Sequence, residues 1–159
     1  MSKVKVGFVQ INATFAGQSY LPYSVGWLQA YAQRFASAPD QLEFALPLFT
    51  RMPADDAVQR LLDAEVGVAA FSTYVWNINL SLEIARRFRH RDPDALIVFG
   101  GPQVPDKPEL FLRRHPFVDI VCHGEGEAVF SKILEQCETR DWHGIPAVSF
   151  VVGRPPRPA

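Results

Sequence analysis

Residues 66–72 read VGVAAFS, a near-continuous apolar run that turns polar only at its last position. A strand with one face in water alternates apolar and polar residues. A run without alternation marks a strand covered on both faces, as in a parallel sheet lying under helices. Working outward from it, β-rich runs and helical patterns take turns along the chain. VKVGFVQI (4–11) is a β-branched strand, and Trp27, Leu28, Tyr31 and Phe35 recur at helical spacing through 24–36. Ala38-Pro39-Asp40 ends that helix and LEFALPLF (42–49) follows as a second strand, which Pro47 places at an edge or cuts short. Asp55 opens a helix that buries Val58, Leu61 and Leu62.

Downstream of 66–72, Leu80, Ile84 and Phe88 form a stripe at i, i+4 and i+8. ALIVFGG (95–101) and FVDIVCHG (117–124) are further strands, with a short proline-led helix over 108–115 between them. Val129, Phe130, Ile133, Leu134 and Cys137 line one face of a last helix. This alternation predicts an α/β fold: a doubly wound, five-stranded parallel sheet of Rossmann-like, flavodoxin-like strand order. GIPAVSFVVG (144–153) adds an extra C-terminal strand, and RPPRPA reads as a linker. The expected division is a binding domain over 1–143, with strand and linker over 144–159 leading towards a missing domain.

The chain's 159 residues suit one domain, which buries enough surface to fold without disulfides. Hydrophobic residues make up 48% and charged residues 21%, with a net charge of −1, a balance that gives nucleic-acid binding no support. The cationic cluster Arg86, Arg87, Arg89, His90 and Arg91 falls at a helix end, where the helix dipole favours it. No apolar run approaches a membrane span, and Met1–Lys5 runs straight into a strand. Cys122 and Cys137 fit no metal spacing, so a cytoplasmic protein with reduced thiols is expected.

In open parallel sheets, ligands bind beyond the carboxyl ends of the strands. The loop at 11–26, INATFAGQSYLPYSVG, is long for a strand-to-helix connection and offers Asn12, Thr14, Tyr20 and Tyr23. STYVWNIN (72–79) holds Ser72, Thr73, Tyr74, Val75, Trp76 and Asn77, where an asparagine is also a natural helix cap. FGGPQVP (99–105) brings Gly100, Gly101, Pro102 and Gln103, and HGEGE (123–127) brings Gly124, Glu125, Gly126 and Glu127. The two glutamates equally suit a helix N-terminus. Together the loops supply amides, hydroxyls, aromatics and glycines but almost no cations, which disfavours polyphosphate nucleotides. A phosphoacceptor receiver needs acids where Gln10 and Asn12 stand, and a lysine where His123 stands. No G-x-G-x-x-G follows the first strand. A free-standing flavodoxin-like domain with a flavin or nucleotide remains the alternative. No catalytic residue and no metal-ligand set is identified.

PYSVGWLQAYA (22–32), FSTYVWNINLSLEIA (71–85), FGGPQVP (99–105) and HPFVDIVCHGEGE (115–127) together resemble the N-terminal cobalamin (vitamin B12)-binding domain of cobalamin-dependent radical SAM enzymes. The resemblance implies cobalamin over the carboxyl edge of the sheet, with its dimethylbenzimidazole tail in a slot. Residues 72–77 would face the corrin or tail, Gly100–Gln103 would line the slot, and Gly124–Glu127 would close it. Cobalamin mutases carry D-x-H-x-x-G after the first strand, its histidine on cobalt, and this chain has no histidine there. The resemblance therefore implies base-off cobalamin, with water, an empty face, or Tyr20 or Tyr23 on the lower side. C-x-x-x-C-x-x-C is also absent. The iron–sulfur (4Fe-4S) cluster and S-adenosylmethionine are then expected in a C-terminal radical SAM domain, in the same chain or a partner. The parent chemistry implied is methyl transfer.

Overall fold

The structure is a computed structural model that describes residues 3–152. Its elements in chain order are β1 (Val4–Val9), β2 (Thr14–Phe15), β3 (Gln18–Ser19), α1 (Tyr23–Phe35), a 3₁₀ turn (Pro39–Gln41) and β4 (Leu42–Phe44). Then follow α2 (Ala54–Asp63), β5 (Val68–Ser72), α3 (Ile78–Arg91), β6 (Leu96–Gly100), α4 (Glu109–Arg114), β7 (Ile120–Cys122), α5 (Glu127–Glu135) and β8 (Val148–Phe150). The central sheet has six strands in the order β4-β1-β5-β6-β7-β8. Its first five are parallel, in the flavodoxin-like order expected from the alternation of strands and helices. Of the strand expected over 144–153, Val148–Phe150 joins the same sheet, and RPPRPA lies outside the described residues.

β5 sits at the centre because its run is apolar on both sides. Ala69 and Phe71 pack with α2 and α3, while Val68 and Ala70 pack with α1 and α5. Phe71 stacks on Phe99 of β6 at 4.8 Å within the first layer. The second strand follows the sequence reading, an edge strand cut short before Pro47, whereas α1 adds a phase that its spacing leaves open. The second strand is regular only over Leu42–Phe44, and Pro47, which lacks an N–H, interrupts the ladder. Pairing resumes where Leu48 N–H donates to Phe8 O and Gln10 N–H to Leu48 O, each at 2.9 Å.

In α1, the buried residues are Val25 and Ala32, with Leu28 packed beside them; Trp27 and Phe35 face outward. The spacing was helical, but the small residues turn inward because α1 packs closely on α5.

β8 pairs antiparallel with β7, Cys122 opposite Val148 and Ile120 opposite Phe150. A parallel sixth strand would require a further crossover. The connection after α5 instead runs up the α1–α5 face, where it buries Trp142 and Ile145, and β8 then descends. At the opposite edge to the loops, Arg89 of α3 forms an ion pair with the buried Asp119 just before β7. The same carboxylate oxygen of Asp119 accepts the Ile97 N–H at 2.7 Å.

Candidate functional site

Strand order reverses between β1 and β5, because the chain leaves β1 for the β4 edge and returns to β5. That reversal opens a crevice at the carboxyl ends. A cavity of about 240 Å³ fills it, between the ends of β1, β5, β6 and β7 on one side and α1 and α5 on the other. Its floor is apolar, with Phe8, Leu28, Ala70, Val98 and Phe130, and Ser24, Ser72 and Glu125 add polar groups to its lining. Cys122 also lines it, and burial pushes its thiol up to about 12, so it is not a thiolate at neutral pH.

Of the residues singled out from the sequence, Ser72, Tyr74, Gly100, Gly101, Gly124, Glu125, Gly126 and Glu127 converge on this slot. Gly100 faces it without strain: an added Cβ would meet only Cys122 Cβ, at 3.7 Å. Gly101 is a glycine for a different reason. Its φ is +97°, and a Cβ would lie 2.6 Å from Thr73 O and 2.7 Å from Thr73 N. Pro102 and Gln103 are exposed beyond it, with Gln103 N–H donating to Thr73 O at 3.2 Å.

Thr73 and Asn77 turn inward and hold the loop. Thr73 Oγ1 donates to Gly100 O at 2.7 Å. Asn77 is 1% exposed; its Oδ1 accepts from Tyr74 N–H at 2.8 Å, and its Nδ2 donates to Ile11 O at 3.0 Å and Ser72 O at 3.1 Å. The Asn77 side chain thus reaches across to the end of the first strand. Asn77→Ala removes all three bonds and leaves buried backbone groups unpaired, so a loss of roughly 2–4 kcal/mol is expected. Urea unfolding would measure it, and an unchanged midpoint would contradict this role. Tyr74 and Trp76 stack at 4.7 Å with planes 9° apart, and Val75 and Trp76 are exposed at the loop's crest.

Asn12 is also buried, in a relay missed from the sequence. Ser24 Oγ donates to Gln10 Oε1, Gln10 Nε2 donates to Asn12 Oδ1 at 3.2 Å, and Asn12 Nδ2 donates to Tyr20 O at 2.7 Å. Ser72 Oγ lies 3.4 Å from Ser24 Oγ, which joins the slot wall to this relay. Beyond Asn12 the chain forms an exposed hairpin, β2 and β3, turned by Ala16 and Gly17 at φ 49° and 76°. Thr14 and Tyr20 belong to this hairpin region and Tyr23 opens α1 with its ring edge-on to Trp27; none of the three lines the slot. Ser24, Leu28 and the floor residues went unnoticed in the sequence because they read there as ordinary helix and strand positions. His123 points to β8, its Nε2 3.0 Å from Ser149 Oγ.

The B12 binding domain family model matches residues 40–134, more than half of the chain. The chain is 34% identical over 147 residues to the cobalamin-dependent radical SAM methyltransferase TokK of Streptomyces tokunonensis, covering 91% of this chain and 21% of that protein. It is 36% identical over 160 residues to 2-(S-pantetheinyl)-carbapenam-3-carboxylate methyltransferase of Streptantibioticus cattleyicolor, covering 98% and 23%. The chain thus spans between a fifth and a quarter of the length of these relatives. A novel cobalamin-binding protein from Desulfitobacterium hafniense, solved at 1.5 Å, has the same fold, with a TM-score of 0.61 at 12% identity, covering 84% of this chain and 58% of that one. The strand order, the slot at the switch point and the family match agree: the chain belongs to the B12-binding domain family.

Proposed function

We propose that this chain is the cofactor-holding module of a cobalamin-dependent radical SAM methyltransferase, binding cobalamin base-off with no histidine on cobalt. The slot carries the reading. At about 240 Å³ it is smaller than the roughly 300–1,000 Å³ that encloses a whole drug-sized ligand. It admits the flat, apolar end of a larger molecule whose bulk lies outside, and the dimethylbenzimidazole tail has that shape. Ser24, Ser72 and Glu125 supply hydroxyl and carboxylate partners for the polar connection, while Tyr74, Val75 and Trp76 offer an apolar crest to the corrin. A charged acceptor such as Glu125 contributes about 1.5–3 kcal/mol per hydrogen bond.

Several placements support the absence of a histidine ligand. The loop after β1, residues 11–26, holds no histidine; His123 is bonded to Ser149, and His143 lies against Phe150 at 5.2 Å. When bound, cobalamin supplies a cobalt centre that carries a methyl group. The iron–sulfur cluster and S-adenosylmethionine belong to the remaining part of the parent enzyme, in the same chain or a partner. No described helix is long and apolar enough to cross a membrane.

Protein mixed with hydroxocobalamin and desalted is expected to stay red and to show a base-off absorption spectrum. A retained base-on spectrum would overturn the base-off assignment. Retention of a flavin with no corrin would overturn the whole reading.

A further inference from the structure

The outward face of α1 carries Tyr23, Trp27, Tyr31 and Phe35 at successive i+4 positions, one row along the whole helix. Tyr23, Trp27 and Phe35 are 74%, 53% and 62% exposed, and the aromatic rings pair along the row: Tyr23 with Trp27 at 6.0 Å, Tyr31 with Phe35 at 4.7 Å. Phe15, Tyr20 and Leu21 add exposed apolar surface from the hairpin region at the head of the row. The helix YSVGWLQAYAQRF contains one charged residue, Arg34, whose guanidinium lies 5.4 Å from the Phe35 ring centre. Helices that face water carry charges on that side. A face rich in Tyr, Trp, Phe and Arg and poor in Lys, Asp and Glu has the composition of an interface core.

We infer that this row is the docking surface for the part of the parent polypeptide that lies outside these 159 residues. The curated relatives contain more than three-quarters of their length beyond the matched region, enough chain to supply a body that covers the row. The topology favours this face. β8 descends antiparallel and leaves the sheet at the edge opposite the slot, whereas α1 spans the sheet from the slot edge at Tyr23 to that opposite edge at Phe35. A body continuing from β8 and reaching the slot crosses the sheet along one face, and α1 offers an apolar track in that direction. The inference does not depend on which cofactor fills the slot.

Hydroxyl-radical footprinting of the full-length parent polypeptide and of the 159-residue chain tests it. Trp27, Tyr31 and Phe35 are expected to be labelled at least about fivefold less in the longer polypeptide, as in a desolvated interface core. Trp27→Glu with Phe35→Glu is expected to raise proteolytic separation of the two parts about tenfold in the full polypeptide, through local opening. In the short chain the same pair leaves the melting temperature unchanged. Equal labelling in both samples would overturn the inference, and so would a parent reading frame that ends at Ala159. Protection in the short chain that disappears on dilution would assign the row to a second copy instead, also overturning it. Cobalamin retention, measured in the same samples, reports on the slot separately: its loss with α1 still protected counts against the cofactor reading alone.

Discussion

Gly100→Val is expected to weaken cobalamin retention by a hundredfold or more, about 2.7 kcal/mol, with the fold intact. The first added carbon makes only an ordinary contact with Cys122 Cβ, and the methyl groups beyond it occupy the slot. Gly100 ends β6 without a left-handed φ, so the backbone accepts a β-branched residue there. Its neighbour provides the contrast. At Gly101, alanine would clash with the Thr73 backbone and strain a φ of +97°, so Gly101→Ala is expected to lower the melting temperature. Spectra after desalting and thermal unfolding of both variants separate a filled slot from a damaged scaffold. A valine variant that melts normally and retains cobalamin like the parent would remove the slot from the cofactor site.

Removing Asp119 is expected to have the largest effect on stability. Its side chain is buried and holds both the Arg89 guanidinium and the Ile97 N–H. Arg89 also donates to Pro93 O, Ala95 O and Phe117 O, so one charge pair fastens the ends of α3, β6 and β7. Asp119→Ala leaves the guanidinium facing a vacated, buried site, and breaking such a pair costs about 3–5 kcal/mol. For a domain of this size the melting temperature falls by roughly 6–20 °C. Replacing Arg89 by methionine together with Asp119→Leu recovers part of the loss, because an apolar pair leaves no charge uncompensated. A single variant that melts with the parent would show that the pair is ornamental.

The sheet was legible because parallel strands covered on both faces write themselves as unbroken apolar runs, VGVAAFS and ALIVFG above all. The same property hid the slot floor. With no polar alternation, the sequence does not say which side of β5 holds Ala70 and faces the slot, and which holds Phe71 and faces α3. α1 shows the matching limit for helices. Aromatics on one side and Val25, Leu28 and Ala32 on the other give a clear period but no phase, and packing on α5 chose the small residues. The glycine and glutamate loops were visible as unusual chemistry at strand ends. The Ser24–Gln10–Asn12 relay was not, since it joins residues from a strand end, a loop and a helix that only the folded chain brings together.

Within residues 72–77, the side chains that fasten the loop and those that meet its surroundings are different ones. Thr73 and Asn77 anchor it to β6 and to the end of the first strand, while Val75 and Trp76 stand outside. Mutations at the crest can therefore accumulate without loosening the backbone beneath, and those at the anchors cannot. A lineage carrying this arrangement is free to vary what the loop presents to its surroundings by drift at the two crest positions on an unaltered frame.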